Sequence, residues 1–191
     1  MATGYTTIGH ATWLEWRNNT LGQSYDVDGY YGCQCWDYAA EFWYNVGFPQ
    51  GYPLTGVNRS AYECWSVNKD ANSSYNGTTY FDQITSLSDI EAGDVLVWNY
   101  SASWTAGHIA FADESYDGSG YIWVLGQNQG GTPLPQGGTP VDRHRLPVTN
   151  FLGAFRYREW HTTPPTPVSE NKYPKFKWVL QARKLRQRRA S

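Results

Sequence analysis

Cysteine is scarce in this chain: three residues, an odd number, among 191. A disulfide framework is therefore not the expected source of stability, although a Cys33–Cys64 bridge remains a minor alternative. Cys33 and Cys35 have one residue between them and are poorly placed to pair with each other. The three cysteines and four histidines also lack the paired spacing of a structural zinc site. Long apolar runs are missing, and nothing approaches the ~18 residues needed to cross a bilayer. The opening MATGYTTIGHATWLEW has neither a basic stretch nor an apolar block, so no signal peptide is expected. If the protein acts outside a cell, another route of release is expected. Basic residues are sparse through most of the chain. Residues 1–169 carry 7 against 16 acidic ones, whereas residues 170–191 carry 8 basic and 1 acidic. A split that sharp predicts two parts with different tasks.

What the chain has in abundance is aromatic rings, 17% of residues, with ten Trp and fifteen Tyr. Most are expected in the core, and a minority at a cleft for sugars or peptides. The length suits one domain with an appendage. A short helix is predicted over residues 9–18, and a second over CWDYAAEFWYNV from Cys35, where Trp36, Ala39, Ala40 and Trp43 share a face and Gly47 ends it. SAYECWSV (60–67) reads as a third helix, and residues 68–79 as an exposed loop. Strands are predicted at Val95–Trp98, Gly107–Ala112 and Tyr121–Leu125, the last two forming a hairpin across the Asp117-Gly118-Ser119-Gly120 turn. Val141–Arg145 and Ala154–Arg158 are candidates for two more. Helices first and an antiparallel sheet afterwards define an α+β domain over residues 1–160. A Pro/Thr-rich linker over 161–171 and a basic tail over 172–191 follow.

The densest chemistry lies in Asp26-Val27-Asp28-Gly29-Tyr30-Tyr31-Gly32-Cys33-Gln34-Cys35-Trp36-Asp37. Asp26, Asp28, Tyr30, Gly32 and Asp37 occupy the first, third, fifth, seventh and twelfth places, the offsets from which a calcium loop supplies oxygen ligands. Tyr30 and Gly32 would give backbone carbonyls, and an all-oxygen set favours calcium over transition metals. The plainer alternative is an Asx turn with solvated acids. Cys35 falls at a helix N-terminus, where free N–H groups and the macrodipole stabilise a thiolate; the alternative is an inert core cysteine. Gln34 beside it offers an amide donor for an oxyanion. A nucleophilic cysteine needs a base. His108, opening a strand after Gly107, is better placed than His10, His144 or His161. A base needs an orienting partner, and Asn128 at the end of the next strand is the candidate.

These residues resemble a known family. The run Gly32-Cys33-Gln34-Cys35-Trp36-Asp37, the strand Gly93-Asp94-Val95-Leu96-Val97-Trp98, the strand Gly107-His108-Ile109-Ala110 and the pair Gln127-Asn128 look like a CHAP domain over roughly residues 8–159. CHAP denotes a cysteine, histidine-dependent amidohydrolase/peptidase of papain-like α+β fold. The resemblance implies hydrolysis of peptidoglycan at the N-acetylmuramoyl–L-alanine amide or at a peptide bond of the stem or cross-bridge. It implies Cys35 as nucleophile, His108 as base, Gln34 as oxyanion donor and Asn128 as orienting residue. It also implies calcium at Asp26, Asp28, Tyr30, Gly32 and Asp37, in a structural role. Many relatives have Glu-Gln-Asn where this chain has Gly126-Gln127-Asn128, so the acidic third member is absent. The short build resembles phage endolysins, monomers that accumulate in the host cytoplasm and reach the wall through a holin pore. The rival readings are a catalytically degenerate wall-binding module and a cysteine peptidase acting on proteins. The basic tail reads as a solvated end or as an amphipathic segment drawn to anionic wall polymers or lipids; eight charges without a fold give no specific nucleic-acid binding.

Overall fold

The computed structural model describes residues 4–69, 74–75, 78–130, 134 and 137–162. The basic tail and all but the first two residues of the expected linker lie outside them. Three helices come first: α1 (Trp13–Thr20), α2 (Cys35–Asn45) and α3 (Glu63–Asn68). The strands follow: β1 (Ser74–Tyr75), β2 (Thr78–Thr79), β3 (Phe81–Ile84), β4 (Val95–Trp98), β5 (His108–Ala112), β6 (Tyr121–Gly126), β7 (Asp142–Pro147) and β8 (Phe151–Tyr157). Helix α4 (Arg158–Thr162) closes the described part and takes in His161 and Thr162, the first two residues of the expected linker. The α+β expectation holds. Strands β3 to β8 form one antiparallel sheet in the order β3-β8-β4-β5-β6-β7, and β1 and β2 pair separately within the stretch expected to be a loop.

Alternation along the strands sorts side chains onto two faces. Val95, Val97, Ile109, Phe111 and Phe155 face the helices, while Leu96, Trp98, Ala110, Ala112 and Ala154 face the other way into a second apolar cluster. The helix-side core is aromatic, as the composition implies. Phe42 of α2 meets Trp16, Trp43, Phe81, Phe111, Tyr157 and Trp160, with ring centroids 4.7–6.2 Å apart. Helix α2 is buried continuously from Asp37 to Trp43, so its first turn is held by the core rather than by solvent. Two ionic ties fix the sheet. Buried Asp94 at the head of β4 accepts from Arg156 of β8, with Nη2–Oδ2 at 2.8 Å, and buried Asp113 pairs with both Arg17 of α1 and Arg143 of β7. Cys33, Cys35 and Cys64 form no disulfide.

The hairpin of β5 and β6 is paired only at Phe111↔Leu125 and Ala112↔Val124. Towards His108 and Gly126 the two strands part. The opening lies against the N-terminus of α2.

Candidate active site

Helix α2 starts at Cys35, with Gln34 as its extended N-cap. Asp37, three residues on, accepts the Gln34 N–H at Oδ2 (2.8 Å) and the Val27 N–H at Oδ1 (3.0 Å). One carboxylate thus ties the first turn of α2 to the acidic loop and complements the positive end of the helix. The Cys35 sulfur accepts a hydrogen bond from the Ile109 N–H, on the residue after His108. Burial pushes the thiol up to about 11, and the Ile109 bond opposes that rise. The candidate nucleophile therefore lies against the backbone of the residue next to the candidate base, where β5 leaves β6.

His108 is fully buried. The Trp104 ring stacks on it at 5.1 Å with a 20° tilt, and Trp98 lies 5.9 Å away. Burial lowers its pKa to about 4, against a small opposing effect of Gln129, so the imidazole is neutral at neutral pH, as a base must be. Gly107 before it is left-handed (φ +71°) and crowded: a Cβ there would stand 2.6 Å from the Trp98 carbonyl and from Tyr62 Cβ. Glycine at this point lets α3 approach the start of β5.

Three consecutive amides arrive from the end of β6, each with its own task. Gln127 is buried; its Oε1 accepts the Tyr25 N–H (2.7 Å), and its Nε2 donates to the carbonyls of Tyr25 and Gln34 (2.9 Å each). Asn128, left-handed at φ +53°, donates from Nδ2 to Gln34 Oε1 at 2.7 Å. Gln129 places Oε1 3.2 Å from His108 Nε2. The expectation that Asn128 orients the histidine is corrected here: its side chain goes to Gln34, and the amide on His108 is the next one along. A left-handed residue turns the chain, so the residue that regains the direction of the histidine is 129. The sequence signal lies in Gly126, a strand end with no side chain, followed by a run of amides.

Gln34 is held from two sides, because its Nε2 also donates to the Tyr31 carbonyl at 2.6 Å. One hydrogen of that amide nitrogen is thus used, and one is left for an oxyanion.

The acidic loop brings Asp26, Asp28 and Asp37 together, with one carboxylate oxygen from each within 4.8 Å of the others; Asp26 and Asp37 are buried and Asp28 is exposed. Burial and the charges of Asp28 and Asp26 raise Asp37 to about 7, although the Gln34 and Val27 N–H groups oppose the shift. Three acids crowded this closely, two of them buried against their preference for water, form a donor set that fits a hard cation. Gly29, Tyr31 and Gly32 are left-handed, which curls the loop around the acids. Tyr30 has an exposed ring, and its N–H donates to Asp28 Oδ1 at 2.8 Å; Gly32 is buried.

An α+β fold with a cysteine at a buried helix start, set against the first residues of a histidine-bearing strand, defines the class. The chain belongs to the CHAP domain family, which it matches over residues 24–128. It is 37% identical over 123 residues to the D-alanyl-L-alanine endopeptidase of Streptococcus phage B30, covering 63% of this chain and 25% of that protein. It is 34% identical over 112 residues to Endolysin PlyTW of Staphylococcus phage Twort, covering 57% of this chain and 22% of that protein. The chain thus spans about a quarter of the length of these curated relatives. The crystal structure of the wild type endolysin LysIME-EF1 shares the fold, with a TM-score of 0.59 at 23% identity over 76% of this chain and 62% of that one.

Proposed function

We propose that residues 1–160 form the catalytic domain of a peptidoglycan hydrolase of the endolysin kind. It would cleave an amide bond of the bacterial wall with Cys35 as nucleophile. The observation that carries this reading is the seating of Cys35 at the head of α2 against Ile109, beside a buried, neutral His108, in a chain of the CHAP family.

In the proposed mechanism, His108 Nδ1 takes the Cys35 proton as the sulfur attacks the scissile carbonyl. Nε2 is already engaged by Gln129. The developing oxyanion takes the Cys35 backbone N–H and the second Nε2 hydrogen of Gln34, whose amide Asn128 and Tyr31 hold in place. His108 then protonates the departing amine, and the C–N bond breaks. Water, deprotonated by the same imidazole, releases the thioester. Calcium would be held by Asp26, Asp28 and Asp37 with backbone carbonyls of Tyr30 and Gly32. Bound there, it would neutralise the acids and stiffen the loop that leads into α2, a structural role.

Of the two bond types, the peptide bond is favoured, because the phage B30 relative is named for D-alanyl-L-alanine endopeptidase activity. Mass spectrometry of purified peptidoglycan digested by the protein tests this. New alanine N-termini in the cross-bridge are expected; release of intact stem peptides from muramic acid would make it an amidase instead.

A further inference from the structure

The site lacks an acid where an orienting acid would be expected, and the structure shows what fills the space. A Cβ built on Gly126 would stand 2.7 Å from Gln129 Oε1 and 3.0 Å from Ala110 Cβ. A side chain at 126 and the side chain of Gln129 cannot both enter this volume. Gln129 takes it from a position three residues further on, and its Oε1 ends 3.2 Å from His108 Nε2.

The orientation of that amide is fixed from behind. Gln129 Nε2 donates to the Asp142 carbonyl at 2.8 Å and to Asp142 Oδ1 at 3.2 Å. Both partners only accept, so the NH₂ end must face Asp142 and the oxygen must face the histidine. An amide oxygen can only accept, so His108 must carry its proton on Nε2. That leaves Nδ1 with a lone pair, the form required of a base.

We infer that Gln129 is the positioning residue of this site: lodged in the space that Gly126 leaves open and locked by Asp142 of β7, it holds His108 in the Nε2–H tautomer through a neutral amide. The inference rests on the hydrolase reading for its catalytic meaning, while the tautomer itself can be measured without any activity.

A neutral partner has a consequence that a carboxylate would not. The groups that contact the His108 ring are Trp98 from β4, Trp104 from the loop before β5 and Gln129, while the Cys35 sulfur of α2 sits on the N–H of the next residue, Ile109. Asp142, with His144 Nδ1 3.1 Å from its Oδ1, reaches the ring only through the amide. None of these sets a full negative charge on the imidazole.

The test uses the full chain with ¹⁵N-labelled histidine, together with Gln129→Ala, Gln129→Glu and Gly126→Ala. Long-range ¹H–¹⁵N spectra of the parent should show His108 as the Nε2–H tautomer. Gln129→Ala should mix the tautomers and lower kcat on the order of 10²-fold, the cost of a misplaced reacting group, with KM little changed. Gln129→Glu sets a carboxylate oxygen against the two Asp142 acceptors and loses the lock, so it should lower kcat as Gln129→Ala does, while its negative charge moves the acid limb of the pH–rate profile and the His108 titration upward by a unit or more. Gly126→Ala keeps Gln129 but displaces its oxygen, so it should resemble Gln129→Ala. It also guards against a folding defect in that variant. A pure Nε2–H tautomer and unchanged kcat in both Gln129→Ala and Gly126→Ala would overturn the inference, as would a pH profile unmoved in Gln129→Glu. Lysis retained by Cys35→Ala would instead overturn Cys35 as the nucleophile and leave the tautomer assignment standing.

Discussion

Asn128 Nδ2 donates to Gln34 Oε1 at 2.7 Å, joining the turn after β6 to the residue before Cys35 across 94 positions of sequence. The bond is exposed, so it contributes little to stability, yet it decides which way the Gln34 amide points. Asn128→Asp removes the donor and sets a carboxylate against Oε1, which should rotate the amide. Loss of an oxyanion donor outright costs about 10²–10³ in kcat, so a disoriented one should cost about 10-fold. Steady-state kinetics on soluble muropeptides should show a fall in kcat with the melting temperature nearly unchanged. An equal loss in Gln34→Ala and in the double variant would show the two acting as one unit.

The acidic loop should report its cation through stability. A ligand at 100 times its Kd stabilises the folded state by about 2.7 kcal/mol, which for a domain of this size moves Tm by roughly 5–10 °C. Thermal melts of the EDTA-treated protein should rise by that amount on adding calcium and much less with magnesium, which demands a tighter octahedral site. Asp28→Asn, at the exposed acid of the three, should abolish the calcium shift while the metal-free melt stays the same or rises. Equal responses to both metals, or none, would contradict the calcium proposal.

His108 should make the fold sensitive to acid. Its pKa falls from 6.5 in the free side chain to about 4 when folded, because burial disfavours the imidazolium. The unfolded chain therefore binds the proton more readily. The contribution is intact above pH 6.5 and is lost as pH falls towards 4. At pH 4.5 the loss should reach roughly 2–3 kcal/mol relative to pH 7. Urea unfolding of the parent and of His108→Gln at the two pH values should show a smaller pH dependence in the variant by that amount.

Phe42 is the hub of the ring cluster beneath α2 and is fully buried. Phe42→Ala should cost about 3–5 kcal/mol by chemical denaturation. Because the same packing seats the first turn of α2, the variant should also lose activity below its melting transition, not only above it.

Much of the sheet was legible because its strands advertise themselves. Val95-Leu96-Val97-Trp98 is a continuous apolar run, and Tyr121–Leu125 follows a Gly-rich turn. Strand β3 was not legible: in Phe81–Ile84 only Phe81 is buried, and the segment becomes a strand by pairing with β8. Cys35 and His108 could be singled out because a thiol at a helix start and an imidazole at a strand start are local features. The partner of His108 was not legible to the residue. Asn128 and Gln129 are both amides at the end of the same strand. Which one faces the ring depends on the left-handed turn at Asn128 and on the empty space over Gly126, both properties of the folded chain.

The central claim is that Cys35 cleaves the wall. Purified peptidoglycan should be incubated with the parent and with Cys35→Ala, after circular dichroism has shown the variant folded, and the soluble products measured by mass spectrometry. The account predicts new amine termini with the parent and none above background with Cys35→Ala. Undiminished product formation by the folded variant would contradict it.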